Sequence, residues 1–535
     1  MEPTEIDVAA VVIGAGFGGL RALIELRTLG VSARLIEAGS DVGGTWQWNR
    51  YPGARTDSEA WTYCYSFSEE LLEEWDWEER YPSQPEVLRY LRHVADRFDL
   101  RPDIDFDTRV VTAAYRDRDH RWKVTTDTGV TYRCTFLICA VGPLSKPLDP
   151  PFAGLESFRG DWHLTARWPA EGVDVAGKRV GVIGTGATGI QVVPVLADAA
   201  AEVRVFQRTA NFVIPGRNRP LSDSDRRRIK DRYRDIWDLT QRQVSGFAIE
   251  ETTRTYQAVP PAERRRVLEE AWRDGGFQFL FATFSDLFVD EDVNEAVAGF
   301  LRDKIRETVH DPETAERLCP RGYPFGAKRP PLEHGYLEAF NRPNVTLVDI
   351  SRDPIEGITP DGVRTGSAEH PCDVLIFAMG FDASTGSVLA IDVQGHGGAT
   401  LSKKWASGPR TFLGITVDGF PNLFLVSGPQ TPFGNVPVAI ENEVRWIGAA
   451  IRHGLGTGQP IDPSPVAVQA WTDEVDRCLS RSFVRHGTLA HSWFLGENLE
   501  SKPCAPLFYF GRADWYFERL RQVAADGFVD CIAGP

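Results

Sequence analysis

The sequence predicts an α/β fold that contains two Rossmann-like dinucleotide-binding domains, with a helical insertion in the second. Three observations carry this prediction. A glycine-rich loop follows an apolar strand at residues 14–19, the same arrangement recurs at residues 184–189, and residues 221–325 are rich in charge with helical periodicity. A chain of 535 residues has room for two or three domains.

The first dinucleotide unit begins with an apolar run at residues 7–13, which predicts a buried parallel strand. Helical spacing follows, and a second strand ends at Glu37. Glycines allow the tight turn and close approach that a pyrophosphate needs, and a helix N-terminus attracts its charge. The acid can accept hydrogen bonds from a ribose. The loop glycines are Gly14, Gly16, Gly18 and Gly19.

The second unit has the same order, with a predicted strand at residues 178–183, a glycine loop and a strand at residues 202–206. It ends differently, because Arg208 and Thr209 stand where the first unit has its acid. An arginine suits a 2′-phosphate, which a carboxylate would repel. We therefore expect FAD in the first unit and NADPH in the second, and hence a redox enzyme. The second loop supplies Gly184, Thr185, Gly186, Thr188 and Gly189.

Two apolar strands that stop at a glycine, at residues 136–142 and 373–382, indicate chain crossings between the domains. We expect residues 1–142 and 381–535 to form the FAD domain, the latter with the C-terminal region. The NADP domain would comprise residues 143–220, which include a linker, and residues 326–380. Residues 221–325 would form the helical insertion.

Composition excludes several other classes. The net charge of −16 disfavours a nucleic-acid partner, and no apolar run approaches the ~18 residues of a membrane span. The N-terminal residues lack the basic region of a signal peptide. None of the eight cysteines lies in C-x-x-C spacing, and no histidine joins them at metal-ligand spacing. A reduced cytoplasmic enzyme without a metal is expected.

The sequence resembles the class B flavin monooxygenases, specifically the Baeyer–Villiger monooxygenases of the cyclohexanone and phenylacetone type. The similarity covers nearly the whole chain. Its longest motif is DVGGTWQWNRYPGARTD at residues 41–57. Shorter matches are FQRT at residues 206–209, YPFGAKRP at 323–330, FNR at 340–342, GFDA at 380–383, GPQTPF at 428–433 and SWF at 492–494.

The resemblance implies an NADPH- and O₂-dependent enzyme that inserts one oxygen next to the carbonyl of a small ketone, giving an ester or lactone. The reaction would pass through a C4a-peroxyflavin stabilised by Arg329, with Asp57 as the carboxylate partner of that arginine. Lys328 and Arg208 would hold the 2′-phosphate, and Trp493 would cover the nicotinamide end. Further implied cofactor residues are Gly44, Thr45, Trp46, Arg55, Tyr63 and Val110, and the implied substrate residues are Phe433 and Asn435.

One motif departs from the family. The signature F-x-G-x-x-x-H-x-x-x-W-P/D matches at Phe158, Gly160 and residues 168–169, but Leu164 stands at the histidine position and His163 comes one residue early. In the family this histidine is thought to couple cofactor binding to domain rearrangement. A one-residue shift redirects a side chain on an extended backbone. Either the backbone adjusts so that His163 still reaches, or the coupling is altered.

Three alternatives stay open. A class B S- or N-oxygenase is kept alive by the displaced histidine, although Lys328, Arg329 and the Trp168-Pro169 ending favour ketone oxygenation. A disulfide reductase would also bind FAD and NADPH, but it needs a redox-active cysteine pair, and C-x-x-C is missing. A non-catalytic flavoprotein is the third. The sequence leaves the natural substrate, the pathway and the oligomeric state open.

Overall fold

A computed structural model describes residues 5–532. Residues 1–4 and 533–535 lie outside the described residues. Residues 1–4 belong to the N-terminal segment that we predict not to be a signal peptide. The strands are short and lie in five sheets. In chain order they are β1 (Glu5–Asp7), β2 (Ala10–Ile13), β3 (Ala33–Ile36), β4 (Ile104–Asp105), β5 (Val110–Arg116), β6 (Arg121–Thr126), β7 (Thr131–Cys134), β8 (Phe136–Cys139), β9 (Asp161–Leu164), β10 (Arg179–Ile183), β11 (Glu202–Gln207), β12 (Ile214–Pro215), β13 (Leu332–Glu333), β14 (Val345–Asp349), β15 (Ile355–Thr359), β16 (Gly362–Thr365), β17 (Glu369–Pro371), β18 (Val374–Phe377), β19 (Asp392–Gln394) and β20 (Leu423–Leu425).

The α-helices connect these strands and fill the insertion and the C-terminal region. They are α1 (Phe17–Thr28), α2 (Thr45–Trp48), α3 (Glu69–Glu74), α4 (Gln84–Arg97), α5 (Ala187–Ala199), α6 (Asp223–Lys230), α7 (Tyr233–Thr240), α8 (Pro261–Asp274), α9 (Gln278–Phe281), α10 (Glu291–Thr308), α11 (Pro312–Leu318), α12 (Tyr336–Ala339), α13 (Gly386–Leu389), α14 (Leu401–Lys404), α15 (Val436–Thr457), α16 (Pro465–Ser480) and α17 (Ala513–Ala525). Short 3-10 helices occur at Ala60–Thr62, Arg101–Asp103, Leu155–Ser157, Thr165–Arg167, Tyr256–Ala258, His396–Gly398, Phe483–Ala490, Trp493–Leu495 and Val529–Cys531.

The first glycine loop stands at the end of a parallel sheet with the strand order β20-β8-β2-β3-β4. All four residues of β2 are buried. Ala10 and Val12 pack with α1 and α15 on one face, whereas Val11 and Ile13 pack on the other face against the sheet β1-β7-β6-β5-β19. Burial on both faces is the reason for its continuous apolar sequence.

The predicted strand at residues 7–13 is two strands in the structure. β1 pairs with β7, whereas β2 pairs with β3 and β8. The chain changes sheets at residues 8–9, between the Val8 N–H that binds the Arg133 carbonyl and the Ala10 N–H that binds the Ser32 carbonyl. Hydrophobicity is continuous across the change, so the sequence pattern could not reveal it.

The second glycine loop stands at the end of another parallel sheet, with the strand order β14-β11-β10-β18-β9. α5 packs on it through Ile190, Val193 and Leu196, in one buried cluster with Val180 and Val182 of β10. The two predicted strand–loop–helix units are therefore both present, each opening a helix at the carboxyl edge of a parallel sheet.

Residues 216–331, all within the described chain, hold α6 to α11 and no strand. This segment leaves the second sheet region after β12 and returns at β13, and these two strands pair with each other. It has its own buried cluster of aromatic and aliphatic residues, including Phe279, Phe300 and Leu301, which extends to Phe325 and Leu332. Within residues 5–532, no helix is long and apolar enough to cross a membrane.

Candidate active site

The first glycine loop is closed by backbone contacts that leave no space for side chains. Gly14 has φ +101°, and a Cβ there would lie 2.6 Å from the Ala140 carbonyl oxygen. A Cβ on Gly19 would lie 1.7 Å from the carbonyl oxygen of Gly14, and Gly18 is similarly close to Val426. Gly16 caps α1 without a side-chain hydrogen bond, so the N-terminal amides of the helix are free for an anion.

Glu37 lies at the end of β3, beside this loop. Its carboxylate accepts hydrogen bonds from the Ala15 amide at 2.6 Å and the Gly39 amide at 2.7 Å. Burial raises the pKa of Glu37, and these two hydrogen bonds oppose that shift. Val110, at the start of β5, is buried with Ile13 and Ile36 on the other face of the sheet.

The segment around Gly44 covers the first loop. The Gly43 amide donates to the Ala15 carbonyl at 2.9 Å, and a Cβ on Gly44 would lie 2.8 Å from the Gly16 Cα. Next to this close approach, the rings of the buried Trp46 and the partly buried Tyr63 meet edge to face, with centroids 5.6 Å apart. Backbone and aromatic surface therefore meet where a flat ring attached to a pyrophosphate would lie.

The second glycine loop repeats the packing of the first. Gly184 has φ +113°, and its Cβ would lie 2.4 Å from the Ala378 carbonyl oxygen. A Cβ on Gly189 would lie 2.1 Å from the Gly184 carbonyl oxygen, whereas Gly186 faces open space. The Thr185 hydroxyl donates to the carbonyl of Thr209 at 3.2 Å. The open position is where a pyrophosphate could approach the backbone.

Arg208 and Lys328 form a cationic pair beside the second loop. Burial lowers the pKa of Lys328 to about 8, and repulsion from Arg208 adds to the shift. Within residues 5–532, neither side chain forms an ion pair with a carboxylate. Two neighbouring cations without a carboxylate partner are suited to bind an anion such as a phosphate.

Asp57 and Arg329 come from distant parts of the sequence and form a salt bridge, with 2.5 Å between Oδ2 and Nη2. The Asp57 side chain is 4% exposed and that of Arg329 25%. Burial raises the pKa of Asp57, and the guanidinium opposes this. The Leu332 amide also donates to Oδ2, at 3.4 Å, but Oδ1 is buried without a partner. The salt bridge runs through a single guanidinium nitrogen, so it uses only part of the donor capacity of Arg329.

A single large cavity, of about 1650 Å³, joins this salt bridge to the second glycine loop. Of the predicted site residues, the cavity wall includes Thr45, Trp46, Arg55, Asp57, Tyr63, Gly184, Thr185, Gly186, Thr188, Arg208, Thr209, Lys328, Arg329, Phe433 and Trp493. The residues that pack around the first loop instead are Gly14, Gly16, Gly18, Gly19, Glu37, Gly44 and Val110. Gly189 faces the backbone of its own loop.

Phe433 and Trp493 belong to an aromatic cluster on the cavity wall. Their ring centroids are 5.9 Å apart, and Phe494, Phe508 and Phe510 pack around Phe433 at 4.6–5.9 Å. Trp493 also meets Phe508 edge to face at 5.3 Å. The cluster gives the cavity an apolar boundary.

Asn435 lies differently from its prediction as a substrate residue. It is 2% exposed, and its amide nitrogen donates to the Thr62 carbonyl at 3.0 Å. Its neighbours Gly434 and Val436 line the cavity, whereas Asn435 does not. Asn435 is the N-cap residue of α15, so its side chain connects the start of that helix to the segment before Tyr63.

His163 does not reach the signature position through a backbone adjustment. β9 pairs with β18 in regular register, His163 opposite Ile376 and Leu164 opposite Phe377. Consecutive side chains on a strand face opposite sides, so these two point apart. Leu164 joins an apolar cluster, whereas His163 packs 5.9 Å from the Trp168 ring, and burial lowers its pKa.

The sequence reasoning missed two groups. Phe247, Phe281, Phe284 and other aromatic residues of the insertion line the cavity. Their density was visible in the sequence, but their direction was not. Tyr51 and Gln191 form a buried hydrogen bond of 2.8 Å between the first and second dinucleotide units. A glutamine on the apolar face of α5 was the available signal.

Comparison with known proteins places this geometry in a family. A family model described as pyridine nucleotide-disulphide oxidoreductase matches residues 11–258. A Baeyer–Villiger monooxygenase of Pseudooceanicola batsensis is 42% identical over 98% of this chain and 96% of its own. The chain belongs to the Baeyer–Villiger monooxygenase family.

Solved structures agree over the full length. The closed crystal structure of cyclohexanone monooxygenase is 42% identical, with a TM-score of 0.96 over 98% of this chain and 99% of that chain. A structure of OTEMO in complex with FAD and NADP is 40% identical, with a TM-score of 0.94 over 98% of both chains. A phenazine N-monooxygenase of Lysobacter antibioticus is 41% identical over 97% of this chain and 96% of its own. The family predicted from the motifs is confirmed.

The cysteines do not form the pair that a disulfide reductase needs. All eight are free thiols within the described residues. Cys478 lines the cavity, and no second cysteine among residues 5–532 lines it. Burial raises the pKa of the Cys478 thiol and disfavours its reactive thiolate form. The described residues also contain no group of three or more His, Cys, Asp or Glu side chains that could hold a metal ion.

Proposed function

We propose that the protein is an FAD-containing, NADPH- and O₂-dependent monooxygenase that converts a small-molecule ketone to an ester or lactone. The balanced reaction consumes ketone, O₂, NADPH and a proton, and yields ester, NADP⁺ and water. The observation that carries the proposal is the partly buried Asp57–Arg329 salt bridge on the wall of a cavity that continues to the second glycine loop. It supplies a fixed positive charge where the carbonyl would react.

The residues present fit FAD at the first loop. The glycines leave backbone amides free for a pyrophosphate, since Gly14, Gly18 and Gly19 have no space for side chains. Glu37 would accept ribose hydroxyls, because its carboxylate already faces the loop. Trp46 and Tyr63, which line the cavity, would contact the flavin ring. When bound, the flavin supplies the activated oxygen of the reaction.

The residues of the second loop fit NADPH. Arg208 and Lys328 would bind the 2′-phosphate, and the N-terminus of α5 with the open face of Gly186 would bind the pyrophosphate. A single acid at the end of β11 would repel that phosphate, and the chain has none there. This supports NADPH over NADH.

Arg329 would stabilise the negative charge that develops on the carbonyl oxygen of the ketone. A guanidinium is a planar group with several N–H donors, more than its salt bridge with Asp57 uses. Asp57 holds the guanidinium in place through Oδ2, while the Leu332 amide fixes the carboxylate. The aromatic cluster of Phe433, Trp493, Phe494, Phe508 and Phe510 would exclude water from the reacting atoms.

The domain division that we propose assigns FAD to residues 1–142 and 381–535, and NADPH to residues 143–220 and 326–380. The insertion, residues 221–325, would supply the aromatic side of the substrate cavity, as the positions of Phe247 and Phe281 support. Eight free thiols support a cytoplasmic location, and a net charge of −16 gives no support to a nucleic-acid partner.

The test is direct. Purified protein with bound FAD should oxidise NADPH and consume O₂ when it is given a panel of cyclic and aryl ketones. Mass spectrometry should show products heavier than the ketone by one oxygen atom, and ¹⁸O₂ should label them. Ketones recovered unchanged while NADPH is oxidised would contradict the proposal.

Oxygenation of a soft nitrogen or sulfur atom is the second candidate. The displacement of His163 from the signature position favours it, as does the 41% identity with a phenazine N-monooxygenase. The same assay separates the two candidates when sulfides and N-heterocycles are added to the panel. Oxygen gain on these compounds alone, with no ester from any ketone, would establish the second candidate.

A further inference from the structure

We propose that Gln191 is a positioning residue that couples the second nucleotide loop to the Asp57–Arg329 salt bridge. The proposal rests on the proposed function. It concerns the yield of ester from each NADPH consumed, which depends on how the charged pair sits relative to the bound nucleotide.

Gln191 crosses from one dinucleotide unit to the other. It lies on α5, two residues after Gly189, and is buried. Its Oε1 accepts a hydrogen bond from the Tyr51 hydroxyl at 2.8 Å, and its Nε2 donates to the Arg55 carbonyl at 3.1 Å. Burial raises the pKa of Tyr51 to about 12, so the phenol keeps the proton that it donates.

The turn at residues 51–55 is packed directly onto α5. Gly53 has φ +86°, and a Cβ there would lie 2.2 Å from the Gln191 carbonyl oxygen. Tyr51 and Ala54 belong to the same buried cluster as Ile190 and the second sheet. Because backbone lies on backbone, a displacement of α5 must carry the turn with it.

This turn leads directly to the charged pair. Asp57 follows Arg55 by two residues, and its carboxylate holds Arg329. Arg329 in turn follows Lys328, which faces Arg208 at the second nucleotide site. Both partners of the salt bridge are thus connected to that site, one through Lys328 and the other through Gln191. A nucleotide that settles on the second loop would fix the position of α5, and with it the position of Asp57.

The side chain at position 191 must accept a hydrogen bond from a phenol and donate one to a carbonyl at the same time. Only an amide of this length does both. Gln191→Glu keeps the acceptor but loses the donor. Gln191→Met keeps the volume and loses both. Tyr51→Phe removes the hydroxyl from the opposite side and leaves the ring packing in place.

The experiment measures ester formed per NADPH consumed, H₂O₂ released and the rate of flavin reduction, with a ketone that the unmodified protein converts. Disrupting a coupling contact typically changes coupling by about 0.5–2 kcal/mol, so Gln191→Met should lower the ester yield by roughly 2- to 30-fold and raise H₂O₂ release accordingly. Flavin reduction should stay within about threefold of the unmodified rate. Tyr51→Phe should lower the yield similarly, and the double variant should be no worse than the more affected single one.

Asn344→Leu is the matched control. The Asn344 amide donates to the Ala197 and Ala200 carbonyls at the other end of α5, but from within the same sheet region. It should keep the unmodified ester yield. The proposal is overturned if folded Gln191→Met or Tyr51→Phe keeps the full yield, or if Asn344→Leu lowers it equally. If Gln191→Met fails to fold, Tyr51→Phe and Gln191→Glu provide the test instead, and a full ester yield in these folded variants would overturn the proposal. Failure of the unmodified protein to form ester would instead contradict the proposed function.

Discussion

At the scale of single residues, the charges divide the cavity between two tasks. Arg329 is paired with a buried carboxylate, whereas Arg208 and Lys328 form no ion pair with a carboxylate in residues 5–532, and we propose that they bind an anion. A fixed charge suits a reacting atom, and a free pair suits a ligand group. We therefore propose that the cation with an oppositely charged neighbour, Arg329, marks the reaction centre. The two cations that neighbour each other, Arg208 and Lys328, would mark the nucleotide site.

We expect Lys328 to make nucleotide affinity depend on pH. With a pKa of about 8 in the free protein, it is charged below pH 8 and loses its proton above. A neutral lysine no longer attracts a phosphate, so the Kd for NADP⁺ should rise by up to about tenfold between pH 7 and pH 9. Fluorescence titration would measure it.

Two controls isolate the cause. Lys328→Arg should give a Kd that is flat over this range, because arginine remains charged. NAD⁺, which lacks the 2′-phosphate, should bind with no dependence on pH in the unmodified protein. A Kd for NADP⁺ that stays constant from pH 7 to pH 9 would show that Lys328 does not bind the phosphate.

The residue roles differ in how far the sequence could predict them. Arg208, Lys328 and Arg329 follow from motifs, and the structure places all three on one cavity wall. The direction of Asn435 could not be predicted, because its amide binds Thr62, more than 370 positions away. Gln191 and Tyr51 are likewise 140 positions apart, and only the folded chain brings them together.

At the scale of elements, the two glycine loops are built alike but their glycines have different tasks. Gly14 and Gly184 have positive φ and lie against the backbone that follows the neighbouring strand of the sheet, at Ala140 and Ala378. Gly19 and Gly189 lie in the helix and allow it to pack closely against the carbonyl oxygens of Gly14 and Gly184. A Cβ added to Gly186 would meet no neighbouring atom within 4 Å. Its lack of a side chain therefore serves a ligand rather than the fold.

A pair of alanine variants separates these tasks. Gly189→Ala puts a Cβ 2.1 Å from the Gly184 carbonyl, and overpacking of this kind costs about 1–3 kcal/mol, so its thermal transition should fall by several degrees. Gly186→Ala should unfold at the unmodified temperature but bind NADP⁺ at least about tenfold more weakly. Calorimetry and NADP⁺ titration would measure both. Loss of stability in Gly186→Ala, or its absence in Gly189→Ala, would reverse the assignment.

Element boundaries show what periodicity can and cannot predict. The second strand of the first unit, predicted to end at Glu37, is β3 (Ala33–Ile36), and the segment predicted as a helical insertion contains the long helices α8 and α10. The strand at residues 7–13 was predicted too long, because the chain changes sheets without a change in hydrophobicity. For His163, strand alternation correctly indicated that neighbouring side chains diverge, and the regular pairing of β9 with β18 leaves no bulge to correct it.

At the scale of the whole molecule, the cavity is lined by distant parts of the chain, among them the second glycine loop. The segment near Asp57, the insertion and the C-terminal region each contribute a wall, and the last two are aromatic. Such a surface gains free energy when it buries apolar area. Its interior therefore favours ketones with an apolar body.

The aromatic walls of the cavity predict a preference for apolar substrates. A ketone with an apolar ring substituent of two or more carbons should have a kcat/KM at least about tenfold above that of its unsubstituted parent, since each buried methylene contributes about 0.8 kcal/mol. The same ketone carrying a carboxylate should be the poorer substrate. Initial rates of ester formation across a homologous series would measure this. A kcat/KM that is independent of apolar size would mean that the aromatic walls do not contact substrate.

We propose that Arg329, held by Asp57, supplies the charge that oxygen insertion into a ketone needs. Arg329→Ala tests it most directly, in a stopped-flow experiment that follows flavin reduction by NADPH and quantifies ester after one turnover. In this variant the flavin should still be reduced, while ester should fall at least about 100-fold and H₂O₂ should appear in its place. Ester formed by Arg329→Ala at a near-native rate would contradict it.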